Sequence, residues 1–195
     1  MVDKQPKSLK EFIESARQAI ASGTLSEEQK VELENRCNEI ELMSEEEQAS
    51  MDYFLRHISE SGSDLTMTVL KGHLLIEQRV REFISERMLS PTALDDARLS
   101  SYQAICLAEA LTLPNTEPKQ LWDSLRQLNT LRNQLAHNLE PERVQQRVER
   151  IINDYTKIAP VQSGFVGVLA SAYGQLSELC RLARNPSFRV RGRND

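Results

Sequence analysis

Leu121-Trp-Asp-Ser-Leu-Arg-Gln-Leu-Asn-Thr-Leu-Arg-Asn-Gln-Leu-Ala-His137 is the stretch that decides the class of this chain. Leu121, Leu125, Leu128, Leu131 and Leu135 recur every three or four residues, the spacing that gathers apolar side chains on one stripe of an α-helix. The helix is expected to begin near Pro118, since proline is tolerated in a first turn, and to end near His137. Asn138 can take a left-handed cap there, and Pro141 blocks continuation. At about 100° per residue, Arg132 falls inside the leucine stripe. Burying an unpaired guanidinium is strongly unfavourable. Arg132 is therefore expected to meet a carboxylate, a subunit interface or a groove that receives an anion.

The same periodicity runs through the rest of the chain. Phe12, Ala16 and Ile20, then Leu33, Cys37 and Ile40, then Met51, Phe54, Leu55 and Ile58 each mark one apolar side of a short helix. Ser8 with Glu11, Ser26 with Gln29 and Ser44 with Glu47 match the capping box that opens such helices. Ser61-Gly-Ser-Asp64 breaks the pattern, and Asp64 is a fitting N-cap for a long helix that Ser90-Pro91 stops near Leu89. A fifth helix to about Leu111, a loop holding Pro114, Asn115 and Thr116, and helices over about 142–158 and 163–184 complete the reading. The expected organisation is an N-terminal acidic helical extension over 1–62, a bundle over 63–184 and a basic, disordered tail over 185–195. The extension would serve as a dimerisation arm or a lid.

Composition agrees with an all-α fold. Of 195 residues, 39% are hydrophobic, enough for a core, while glycine and proline number seven each. The net charge of −5 disfavours a general nucleic-acid coat, but the charge is uneven. Acidic residues outnumber Lys30 and Arg36 from Glu27 to Glu47, the pattern of a solvated helix face. Arg181, Arg184, Arg189, Arg191 and Arg193 crowd the last fifteen positions. Arg189, Arg191 and Arg193 are candidate RNA contacts, or part of a solubilising end. With no 18-residue apolar stretch and no signal-peptide pattern, a cytoplasmic protein without a membrane partner is expected. Cys37, Cys106 and Cys180 are widely separated and read as core thiols.

The residues with chemical potential lie on two helices. On the fourth, His73 and Glu77 sit one turn apart within the stripe of Leu65, Val69, Ile76, Val80, Phe83 and Ile84, so Glu77 could meet Arg132. Gly72 beside them implies a close approach by another helix. On the sixth, His137 stands in the last turn, at the negative end of the helix dipole, a position that suits an imidazole moving protons. The planar fork of Arg132 can hold two phosphate oxygens. Together they suit metal-free cleavage of RNA, arginine stabilising the phosphorane and histidine moving the proton. Residues five apart lie about 140° from one another on a helix, so a single copy is incomplete, and a two-fold dimer would supply both an acid and a base. The plainer alternative is a buried ion pair and a helix cap. Glycine-rich phosphate loops, His-Glu-x-x-His and Gly-x-Ser-x-Gly do not occur. The reading calls for no cofactor and no metal, with His73 and Glu77 at most a weak ligand pair.

Leu128-Asn-Thr-Leu-Arg132-Asn133-Gln-Leu-Ala-His137, together with Gly72-His-Leu-Leu-Ile-Glu77, resembles the HEPN superfamily of helical-bundle proteins through its R-x4-H motif. The resemblance spans about Asp64 to Ile158. It implies an antiparallel bundle, a homodimer, and a metal-independent endoribonuclease site built from Arg132 and His137 of both chains. Asn133 would be the supporting polar residue, and Glu77 a looser counterpart. It further implies a toxin or phage-defence effector with RNA as partner and a cognate antitoxin or regulatory protein. The chain is also similar in length and in this segment to the mannitol-operon repressor family, which implies instead a non-enzymatic regulator acting through protein contacts.

Overall fold

A computed structural model describes residues 6–112, 119–137, 140–156 and 164–185. The fold is all-α. Among the described residues there are eight α-helices and no strand: α1 (Leu9–Ala21), α2 (Glu27–Leu42), α3 (Glu45–Ser59), α4 (Leu65–Arg87), α5 (Ser101–Leu111), α6 (Lys119–Leu135), α7 (Pro141–Thr156) and α8 (Gly164–Arg184), with a 3-10 segment at Pro91–Ala97. The loop at Pro114 to Thr116, the first-turn Pro118, the Asn138 cap and Arg189, Arg191 and Arg193 lie outside the described residues.

Helix starts are set by side-chain caps. Ser26 with Gln29 and Ser44 with Glu47 form complete boxes, each hydroxyl accepting from the backbone three residues on while the partner side chain accepts from the serine N–H. Ser8 makes only half of one: its hydroxyl accepts from Glu11 N–H, but the Glu11 carboxylate accepts instead from Lys7 N–H at 2.8 Å. Asp64 Oδ1 accepts from Met67 N–H at 3.1 Å and starts α4. After α4 the chain does not enter α5 directly. It makes the 3-10 segment, passes through Arg98 in the left-handed region (φ 44°), and restarts at Ser100, which forms a complete box with Gln103.

The chain divides into two compact units, Met1–Gly62 and Ser63–Asp195. In the first, Ala16, Leu33 and Cys37 form a small core ringed by Phe12, Ile13, Ile20 and Leu25. Leu9 N–H donates to Asp52 Oδ1 at 2.7 Å, tying the start of α1 to α3. In the second, α4 is the central helix and packs on α5, α6 and α8. Gly72 faces Leu169, Arg79 donates to the Tyr173 hydroxyl, and Arg184 pairs with Glu82 and Glu86, so α8 runs alongside α4 in the same direction. By contrast His73 meets Asn129 while Val80 lies with Leu125, so α6 runs antiparallel to α4.

Gly72 marks a close approach of α8 to α4. A Cβ there would sit 2.6 Å from Leu169 Cδ1 and 3.1 Å from Cδ2, with Leu169 itself buried. Gly72→Ala gains about 1 kcal/mol of helix propensity but forces Leu169 from its packed rotamer, at about 1–3 kcal/mol. A net loss of about 1 kcal/mol is expected, read as a lower urea midpoint with unchanged slope. An unchanged or raised midpoint would mean that Leu169 yields freely and the contact is not tight.

Candidate functional site

The last turn of α6 carries the candidate residues into solvent. Leu121, Trp122, Leu125, Leu128 and Leu131 are buried, but Leu135 is only half-buried, and Arg132 and Asn133 are exposed. The expectation that Arg132 is buried within the stripe is therefore corrected. A helical wheel gives a direction around the axis and not the length over which neighbours cover it, and the cover thins in the final turn. Arg132 Nη1 donates to the neighbouring Asn133 Oδ1 at 3.2 Å.

Glu77 does not meet Arg132 either. Its Oε1 accepts from Arg81 Nε and Nη2 at 3.0 and 2.6 Å, and its Oε2 accepts from the Ser101 hydroxyl at 2.7 Å. These bonds hold α4 to the start of α5. Desolvation pushes the Glu77 carboxyl up, but the Arg81 and Ser101 hydrogen bonds outweigh it, and the group lies below the usual carboxylate range.

The polar link between α4 and α6 is made by His73 instead. It is buried, with Nε2 3.3 Å from Asn129 Oδ1 and Nδ1 3.7 Å from Glu77 Oε2. Burial lowers the His73 pKa, and that effect exceeds the opposing pull of Glu77 and of the Asn129 hydrogen bond. Asn129, also buried, was not singled out by the sequence. The clue to it is that a histidine on a core face needs a polar partner.

His137 lies one turn past Arg132, just beyond the end of α6. The chain tightens there, Ala136 N–H donating to Arg132 O at 3.3 Å and His137 N–H to Gln134 O at 3.0 Å. The His137 side chain is exposed and lines a groove of about 590 Å³ with Gln134, Glu140, Arg143, Gln146, Arg147 and Arg150. Val144, Val148, Ile151 and Tyr155 form the buried face of α7. The arginines, spaced i, i+4 and i+7, share the flank that opens on His137.

That flank is electrically unbalanced. Elsewhere Arg17, Arg81, Arg126, Arg181 and Arg184 each sit against a carboxylate, Arg126 against both Glu109 and Asp123. In the groove only Arg143 has one, Glu140 at 3.9 Å, between two well-exposed side chains. Arg147 and Arg150 have no ion-pair partner among the described residues. Like charges one turn apart cost a helix about 0.2–0.5 kcal/mol per pair, so the three arginines are arranged against the helix's own stability. Arg143, Arg147 and Arg150 are readable from their spacing as one helix face, but nothing in the sequence marks that face as opening on His137.

Neither protein-family models nor curated proteins nor solved structures yield a match to this chain. Among the described residues no group of three or more His, Cys, Asp or Glu side chains is placed to hold a metal ion, and no helix is long and apolar enough to cross a membrane. Cys37 and Cys180 are buried free thiols, the latter pushed up to about 12 by desolvation, and Cys106 is half-buried.

The buried histidine gives a pH signature. Because its folded-state pKa is depressed, the unfolded chain binds the extra proton first as pH falls, so the His73 contribution is complete above about 6.5 and is lost below it. Glu77, also depressed, contributes only from the carboxylate range downward. The urea midpoint of the protein is therefore expected to fall as the pH drops below about 6.5, and that part of the decline to flatten in His73→Gln. An equal decline in both proteins would assign it to other groups.

Proposed function

We propose that this chain is a HEPN-like, metal-independent endoribonuclease that acts as a homodimer, in a toxin or phage-defence role. The observation that carries the reading is the end of α6. Arg132 and Asn133 stand in solvent without a carboxylate, and one turn on His137 opens into a groove walled by three arginines. A helix that only needed a cap and an ion pair would have no use for that arrangement.

In the proposed reaction the RNA 2′-hydroxyl attacks the adjacent phosphorus and the bond to the 5′-oxygen of the next nucleotide breaks. A 2′,3′-cyclic phosphate and a free 5′-hydroxyl result. Arg132 holds the non-bridging oxygens as their charge grows. One His137 accepts the 2′-hydroxyl proton, and the partner's His137 supplies one to the leaving oxygen. The dimer also has a candidate seat. Met67, Leu70 and Leu74 on α4 are exposed at i, i+3 and i+7, and the antiparallel α6 brings Arg132 toward the same half of α4. A second copy covering this stripe would set two Arg132 side chains near one axis.

The same stripe also fits a second reading, a non-enzymatic regulator, mannitol-repressor-like, that binds a partner protein there. End-labelled RNA incubated with the protein in excess chelator separates the two. Cleavage to cyclic-phosphate ends is expected, reduced about 100-fold or more by His137→Ala and about 100–1,000-fold by Arg132→Ala, with helicity unchanged. Leu74→Glu is expected to yield monomers without activity. An intact dimer that leaves RNA uncut at high protein concentration would favour the regulator.

A further inference from the structure

We infer that the Arg143, Arg147 and Arg150 face of α7 is a track for the backbone of single-stranded RNA, holding successive phosphates and leading the strand to His137. The inference rests on the ribonuclease reading for the purpose of the track, but not for its existence. At 1.5 Å per residue the three Cα positions rise by about 6 Å and then about 4.5 Å along α7, so their guanidinium groups present a line of charge rather than a point. A single phosphate needs one such fork. A repeated anion uses all three.

The groove wall narrows the ligand further. At about 590 Å³ the groove is in the range of sites for ligands of drug size, which suits roughly two nucleotides of one strand. Among the described residues its lining includes no phenylalanine, tyrosine or tryptophan, so no aromatic platform there selects bases by stacking. Gln134 and Gln146 offer amide groups to sugars or base edges, and Glu140, the single carboxylate among the described lining residues, lies 3.9 Å from Arg143. Binding is therefore backbone-led and largely indifferent to sequence. Arg147 and Arg150, lacking carboxylate partners among the described residues, carry most of it.

The test uses the full chain and a fluorescein-labelled 12-nucleotide 2′-O-methyl RNA of mixed sequence, which cannot be cleaved, read by anisotropy across a salt series. Three phosphates on the track contribute about −2 to the slope of log K against log salt, each contact giving about −0.7, beside what Arg132 and the basic tail add. Arg147→Gln and Arg150→Gln are each expected to shallow the slope by about 0.7, and Arg147→Lys to keep most of it. Arg181→Gln, which removes an arginine already paired with Glu178, is expected to change nothing. A DNA strand of the same sequence should bind with the same slope, because the track reads phosphates. No binding by the unsubstituted protein, or slopes unmoved in Arg147→Gln and Arg150→Gln, overturns the track. With ribose RNA, binding without cleavage keeps the track and removes the nuclease. Cleavage at unchanged KM in Arg147→Gln and Arg150→Gln removes the track and keeps the nuclease.

Discussion

The second unit is organised by the contact between Gly72 and Leu169. Only a residue without Cβ lets Leu169 come this close, and the approach lets α4 and α8 bury long apolar faces against each other, from Val69 to Ile84 on one and Phe165 to Ala183 on the other. With α8 occupying that side, α6 takes another, antiparallel to α4, and the buried pair His73 and Asn129 fixes where along α4 it sits. The apolar stripe of α6 is covered up to Leu131. Past that point the helix continues for one turn with less to pack on, and Arg132, Asn133 and His137 reach water. The candidate site is thus a product of where the packing stops.

Electrostatics reinforces the distinction between scaffold and site. In the scaffold, charges are neutralised locally: Arg81 by Glu77, Arg126 by Glu109 and Asp123, Arg184 by Glu82 and Glu86. Most of these pairs are at least partly exposed and each is worth little to stability, but each arginine is matched by a carboxylate. On the α7 flank the three arginines have one long carboxylate contact among the described residues, Arg143 with Glu140 at 3.9 Å, in a chain whose net charge is −5. An acidic protein that keeps a cationic groove concentrates anions there and repels them elsewhere, which raises local encounter with a charged strand.

Much of the fold was legible because it depends on local chemistry. Helix periodicity, the Ser26 and Ser44 boxes, the Asp64 cap and the Gly72 approach are encoded within a few residues and appear in the structure where the pattern puts them. The stretch between α4 and α5 was less so. A 3-10 segment and a left-handed Arg98 leave little periodic trace, although Ser100 with Gln103 marks the true start of α5.

The site was legible in its residues and not in their surroundings. Arg132 lies inside the leucine stripe by angle, and angle alone implied burial against a carboxylate, a subunit interface or an anion-receiving groove. What decided its state was axial position, which requires knowing where α4 and α5 end relative to α6. Glu77 was assigned across helices when its strongest partner, Arg81, was one turn away on its own helix, at the Glu-before-Lys/Arg spacing that favours pairing. The α7 arginines show the complementary difficulty. Their i, i+4, i+7 spacing marks a face, but a polar face on an amphipathic helix is ordinary until the structure shows what it opposes. Lining one groove with His137, with only Arg143 near a carboxylate among the described residues, the same residues become a cationic wall. An anion in that groove would supply the opposite charge that Arg147 and Arg150 lack among the described residues.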